Sequence, residues 1–151
     1  MSYLLLGAGI VVFDQITKFL ITRSMDLGQS IPLLPFIRLT YALNKGGAFG
    51  LFPGIGPVLA AVTALIIGYL LIHLHRSPIK ERVLKLGVTF LIGGALGNLI
   101  DRLRFGKVVD FVDLTFWPVF NMADVAVVVG TILLAWHFWR QAAAPQAEAG
   151  H

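Results

Sequence analysis

Acidic side chains are scarce in this chain, and two of them sit where charge is most costly. Of eight Asp and Glu residues, Asp14 and Asp124 fall inside long apolar runs, and Asp101 and Asp110 lie at or just beyond the end of another. A charge at bilayer depth costs a few kcal/mol or more, so it persists where it has a partner or a task. The chain must therefore build a packed interior that receives these groups. Asp110 and Asp124 read as a catalytic pair at one membrane face.

Composition supports the membrane setting. Hydrophobic residues make up 57% of the chain and charged residues 13%, and the mean hydropathy is +0.82. Soluble domains average roughly half apolar and a quarter charged. A length of 151 residues suits one compact domain. The net charge of +4 reads as Lys and Arg flanking membrane spans. With no dense basic run and no RNA or DNA module, nucleic acid is not an expected partner. Cysteine is absent, which removes thiol catalysis, disulfides and thiolate metal sites. The N-terminus lacks a basic leader region, and Asp14, Gln15 and Lys18 interrupt its apolar run. It is expected to be a retained first span and not a cleaved signal peptide.

A transmembrane helix needs about 20 apolar residues. Segments 3–22, 55–75, 84–103 and 119–139 meet this. The expected fold is an all-α membrane protein, a single four-helix transmembrane domain over residues 1–140. The Ala-rich segment 141–151 is expected to be a disordered tail. With four crossings, segments 23–54 and 104–118 share one side, opposite both termini and the loop 76–83. Ile37, Leu39 and Tyr41 alternate with Arg38 and Thr40, the period of a half-buried strand. Lys107–Phe116 is rich in β-branched and aromatic residues. Together these predict a small β-structured cap. Arg76, Lys80, Arg82 and Lys85 crowd the opposite loop, as expected of a cytoplasmic face, which leaves the cap external.

Asp14 and Lys18 are four apart, so they share a helical face and pair. The pair reads as a structural tie between the first helix and the cap, with a proton relay or substrate contact as the alternative. Gly93, Gly94, Ala95 and Gly97 permit close helix packing. Asn98 and Arg102 follow on one face, suited to hold a carboxylate or a substrate carbonyl. Asp101 reads as an anchor at headgroup level, with a catalytic role as the alternative. Asp110, flanked by Val109 and Phe111, is partly desolvated, which raises a carboxylate's pKa. Asp124 is expected roughly one turn into the fourth helix, on the order of 8 Å from its start. Two adjacent carboxylates share one proton; the charged one activates water and the protonated one donates to the scissile carbonyl. That chemistry needs no metal, and no cofactor is expected. Ser77-x-x-Lys80, His73, His75 and His137 fall toward the opposite face, and zinc-protease and serine-elbow motifs are missing.

Five blocks now stand in order: Asp14–Lys18, Asn44–Phe49, Gly93–Arg102, Val108–Phe111 and Phe120–Asp124. In these blocks the chain resembles the lipoprotein signal peptidase (signal peptidase II) family of bacterial aspartic proteases, over roughly residues 10–129. The resemblance implies that Asp110 and Asp124 are the catalytic dyad. It implies substrate-binding or supporting roles for Asn44, Gly46, Ala48, Gly94, Asn98, Arg102, Asn121 and Ala123, with Asp14 and Lys18 stabilising the first helix and cap. Gly47 stands where the family usually has Ala. The implied substrate is a diacylglyceryl-modified prolipoprotein, cleaved just before its lipid-bearing cysteine. The implied setting is the bacterial inner membrane, with the site toward the periplasm and both termini cytoplasmic. Globomycin and myxovirescin are the implied inhibitors, membrane lipids the surroundings, and a monomer the expected state. The rival readings are a proton-coupled transporter using Asp14, Lys18 and Asp124, which should show inverted repeats and broken helices, and a structural membrane partner without chemistry.

Overall fold

The structure, a computed structural model, describes residues 2–45, 55–76 and 81–143. They form α1 (Ser2–Ser24), β1 (Ser30–Leu34), β2 (Ile37–Asn44), α2 (Gly56–Arg76), α3 (Arg82–Phe105), β3 (Val108–Asp113) and α4 (Met122–Ala143). Among the described residues three helices, α1, α3 and α4, are long and apolar enough to cross a membrane. Three of the four expected spans are met among the described residues. The fourth candidate, α2, lies where the sequence placed it, but its described apolar stretch, Gly56–Ile72, is shorter.

The burial of α1 is the reverse of that in a soluble helix. It buries Asp14, Lys18 and Ile21 while Val12, Phe13, Ile16, Phe19 and Leu20 are exposed. Lipid tails solvate apolar side chains as well as a protein interior does, so only the polar ones gain by facing inward.

At the centre, α3 packs against α4, α1 and α2. Glycines set the approach. A Cβ at Gly94 would run into the carbonyl oxygen of Ala123, and one at Gly130 would lie 2.7 Å from that of Gly87. Gly97 makes room for a carboxylate: a Cβ there would sit 2.6 Å from Asp14 Oδ2.

The expected cap is a three-stranded antiparallel sheet, ordered β1-β2-β3. Pro32 sits in the edge strand β1, where a missing N–H is tolerated. Arg38 Nε donates to Ser30 Oγ at 2.7 Å, and the Ser30 and Thr40 hydroxyls meet at 2.6 Å. Thr40 Oγ1 donates to Asp113 Oδ2 at 2.7 Å, which links all three strands. That bond, and then the Thr115 N–H, hold Asp113 below the usual carboxylate range. Beneath the sheet, Ile21, Met25, Val109 and Phe111 form a core against the end of α1. Val108 through Phe111 are buried without alternation, so β3 is covered on both faces.

Two turns aim the site. Gly106, at φ 67°, closes α3 in the left-handed conformation with its N–H on Arg102 O, and β3 starts two residues later. Phe120 bridges to Val112, so α4 begins at Met122 and not near Val119. At its other end α4 runs to Ala143. Residues 141–143, expected in the tail, are helical because alanine is the best helix former; the rest of that tail lies outside the described residues.

Gly97→Ala should lower the thermal unfolding midpoint in detergent, equivalent to about 1–3 kcal/mol of overpacking. Gly9, with nothing within 4 Å of an added Cβ, is the control. Equal midpoints for the two variants would contradict this packing.

Candidate active site

The site is built outward from one ammonium group. Lys18 Nζ pairs with Asp14 Oδ2 at 2.8 Å and Asp101 Oδ2 at 3.0 Å, and donates to Asn98 Oδ1 at 3.0 Å. A lysine has three donors and no acceptor, so all three are used. Lys18 is 3% exposed, Asp14 0% and Asp101 1%. Each carboxylate then reaches a different element. Asp14 Oδ1 accepts the Ala123 N–H at 2.8 Å, at the start of α4. Asp101 Oδ2 accepts the Val109 N–H at 3.1 Å, in β3. Gln15 Nε2 donates to Asp101 Oδ1 at 3.0 Å and to Gly97 O at 3.1 Å.

Asp101 is therefore not a headgroup anchor. Gly106 folds the chain back over the end of α3, which leaves Asp101 buried beside a cation. Gln15, which interrupts the apolar run of α1, has no site role among the sequence expectations. The available signal was its place between Asp14 and Lys18 on a helix with few other polar residues.

Amide orientations follow from the ammonium. Because Lys18 can only donate, Asn98 turns Oδ1 toward it, and Nδ2 then donates to Asp124 Oδ1 at 2.7 Å. Asn121 precedes α4 as its N-cap. Its Oδ1 accepts the Asp124 N–H at 3.0 Å, while Asp124 Oδ2 accepts the Asn121 N–H at 3.2 Å. This is the reciprocal capping-box geometry at a helix start. It turns Asn121 Nδ2 toward Asp110 Oδ1 at 2.6 Å and Asn98 Oδ1 at 3.0 Å. Asn44, in β2, also hydrogen bonds the Asp110 side chain. Asp110 and Asp124 are thus brought together about Asn121. Asp124 lies in the first turn of α4, shallower than expected, because the helix starts later.

Asp110 is 4% exposed, and Asp124 is half-buried. Burial, and then the charge of Asp124, push Asp110 up to about 7 against its hydrogen bonds from Asn44 and Asn121. A buried carboxyl near 7 beside a second carboxylate is an arrangement suited to acid–base work at neutral pH. Arg102 is half-buried and lies within electrostatic range of Asp124, Asp110 and Asp101. Among the described residues it has no carboxylate within 4 Å, so its guanidinium is available at the rim. Gly94 lies against the backbone carbonyl of Ala123 in the α3–α4 seam, one residue before Asp124. Gly46, Ala48, Ser77 and Lys80, and the side chains of His73 and His75, lie outside the described residues. His137 is at the far end, with Nδ1 3.0 Å from Glu81 Oε2.

Residues 6–140 match the family described as signal peptidase (SPase) II. The chain belongs to the signal peptidase II family. It is 44% identical over 137 residues to the lipoprotein signal peptidase of Moorella thermoacetica, covering 90% of this chain and 91% of that one. It is 46% identical over 130 residues to that of Pelotomaculum thermopropionicum, covering 85% and 86%. A bacterial membrane enzyme solved by the in meso method at 2.3 Å superposes with a TM-score of 0.87 at 32% identity, covering 93% of this chain and 89% of that one. A second, at 1.9 Å, gives 0.82 at 32% identity, covering 91% and 92%. The chain is accordingly a membrane-embedded, multi-pass member of a peptidase family.

Removing the ammonium leaves two buried carboxylates unpaired, which costs about 3–5 kcal/mol. Lys18→Met should lose stability on that scale in detergent unfolding, and the loss should shrink when Asp101→Asn is added. Full additivity of the two changes would show that they do not act through one network.

The pH dependence of stability has a definite sign. Asp110 titrates near 7 in the fold and at 3.8 ordinarily, so between about pH 4 and 7 the folded state keeps a proton that the unfolded chain has lost. Its contribution is complete below that window and is lost as pH rises through it. Asp110→Asn should flatten the decline and raise the unfolding midpoint at pH 8 above wild type; parallel pH profiles would contradict this.

Proposed function

We propose that this chain is an intramembrane aspartyl endopeptidase that removes the signal peptide from diacylglyceryl-modified prolipoproteins, cutting just before the lipid-bearing cysteine. The observation that carries the reading is the convergence of Asp110 and Asp124 on Asn121. Asp124, in the first turn of α4 with N–H donors from Asn98 and Asn121, is the ionised partner and the general base. Asp110, the more buried, carries the shared proton.

In the first step Asp124 takes a proton from a water molecule as the water oxygen bonds to the scissile carbonyl carbon. Asp110 donates its proton to the carbonyl oxygen, and a neutral tetrahedral diol forms. In the second step the carbon–nitrogen bond breaks. Asp124 returns its proton to the leaving nitrogen while Asp110 recovers one from a diol hydroxyl. The products are the signal peptide's carboxylic acid and the free amine of the lipidated cysteine, and the dyad is restored. Arg102 at the rim receives a substrate carbonyl, Asn44, Asn98 and Asn121 orient the carboxyls, and Gly94 and Ala123 hold α4 in register. Asp14 and Lys18 keep the frame.

In this reading α2 also crosses the bilayer, giving four spans within one domain over residues 1–140. The setting is the bacterial inner membrane, with the sheet and dyad toward the periplasm and both termini in the cytoplasm. The protein acts as a monomer, and globomycin and myxovirescin block it at the dyad.

Purified protein is to be assayed by gel shift on a diacylglyceryl-modified prolipoprotein. A positioned acid or base contributes about 10²–10⁴-fold, so Asp110→Asn and Asp124→Asn should each lower cleavage at least about a thousandfold without unfolding. Wild-type cleavage should decline above about pH 7, as Asp110 loses its proton. Undiminished activity in either folded variant would remove that residue from the dyad.

A further inference from the structure

A second site lies at the opposite end of the bundle from the dyad. Both α1 and α2 pack on α3 and leave between them a groove of about 550 Å³, with Val11, Ile67, Val88 and Leu96 among its walls. Gly7 and Ala8 of α1 contribute no bulk on their side, so the groove stays open. Its polar end is marked by Lys85, whose Nζ lies 5.7 Å from the centre of the Tyr3 ring. From Lys85 to Leu96 the helical rise covers about 16 Å. Half the hydrocarbon thickness of a bilayer is about 15 Å. The groove is therefore long enough to span one leaflet, from an interface to the midplane.

We propose that this groove binds an anionic phospholipid of the leaflet opposite the dyad, one acyl chain lying along α3 and the phosphate on Lys85. Charge selects this occupant. Among the described residues Lys85 has no carboxylate within 4 Å, and Glu81, one turn before it, is engaged with His137. Arg82 is exposed beside it, which adds to the positive field at the groove mouth. A signal helix with basic residues at its leading end would meet repulsion at this mouth, whereas an anionic headgroup is attracted. Tyr3 supplies the amphipathic ring that favours the headgroup level. The site fits one lipid, held between helices that otherwise leave part of the α3 surface bare.

The test is native mass spectrometry of the purified full chain with dioleoyl phosphatidylglycerol and with zwitterionic dioleoyl phosphatidylcholine, added separately and in competition. One lysine at an anionic surface is worth roughly fivefold in affinity. Wild type should retain phosphatidylglycerol preferentially by at least that factor, and Lys85→Gln should abolish the preference. Ala8→Phe, which fills the groove, should weaken retention of both lipids, with the unfolding midpoint as the check on folding. Equal retention of the two lipids by wild type, or an unchanged preference in Lys85→Gln, would overturn the proposal. So would displacement of phosphatidylglycerol by a signal-sequence peptide at equal concentration, since the occupant would then be peptide.

Discussion

Everything at the active end depends on one buried ammonium. Lys18 sits among Asp14, Asp101 and Asn98, and the three partners carry its influence into α4, β3 and the carboxyl pair. A buried ion pair is a poor source of net stability, since desolvation offsets most of the attraction. Its value here is directional. A donor-only group fixes which atom of Asn98 faces which neighbour, and that choice passes to Asp124. The capping box does the same for Asn121 and Asp110. Asn98 and Asn121 thereby hold Asp124, and Asn121 also holds Asp110.

The membrane explains why so small a protein can hold such a network. In water the apolar surface of α1 would have to be buried, and Asp14 and Lys18 would face out. In lipid the polar groups take the interior, and glycines at positions 94 and 97 bring the backbones close enough for them to meet. Packing and chemistry are therefore coupled. The residue that would clash with a Cβ at Gly97 is a ligand of the ammonium, and the carbonyl against Gly94 belongs to the helix that carries Asp124.

Much of this was legible in the sequence. Apolar run length placed the helices, period-two alternation placed β2, and charge inside apolar runs singled out Asp14 and Asp124, with Asp110 marked by its Val and Phe neighbours just beyond such a run. The Asp14–Lys18 pair followed from helical spacing alone. The misreading of Asp101 has a physical source. Its distance from the end of α3 is the same whether the chain leaves into solvent or doubles back, and only the left-handed turn at Gly106 with the pairing of β3 decides between them. The start of α4 was placed early for a related reason: Val119 and Phe120 look helical by hydropathy, but Phe120 is claimed by a backbone bridge to Val112. Asn121 carried a capping signal that fixes the true start and the shallow depth of Asp124.

The proposed mechanism requires Asp110 and Asp124 to share one proton at neutral pH. Infrared spectroscopy of protein labelled with ¹³C at the aspartate carboxyl tests this directly. At pH 6 the account predicts a protonated carboxyl band that fades as pH rises through about 7 and is missing at pH 6 from Asp110→Asn. Fully ionised aspartates in the wild type at pH 6, or a protonated band that survives in Asp110→Asn unchanged, would contradict it.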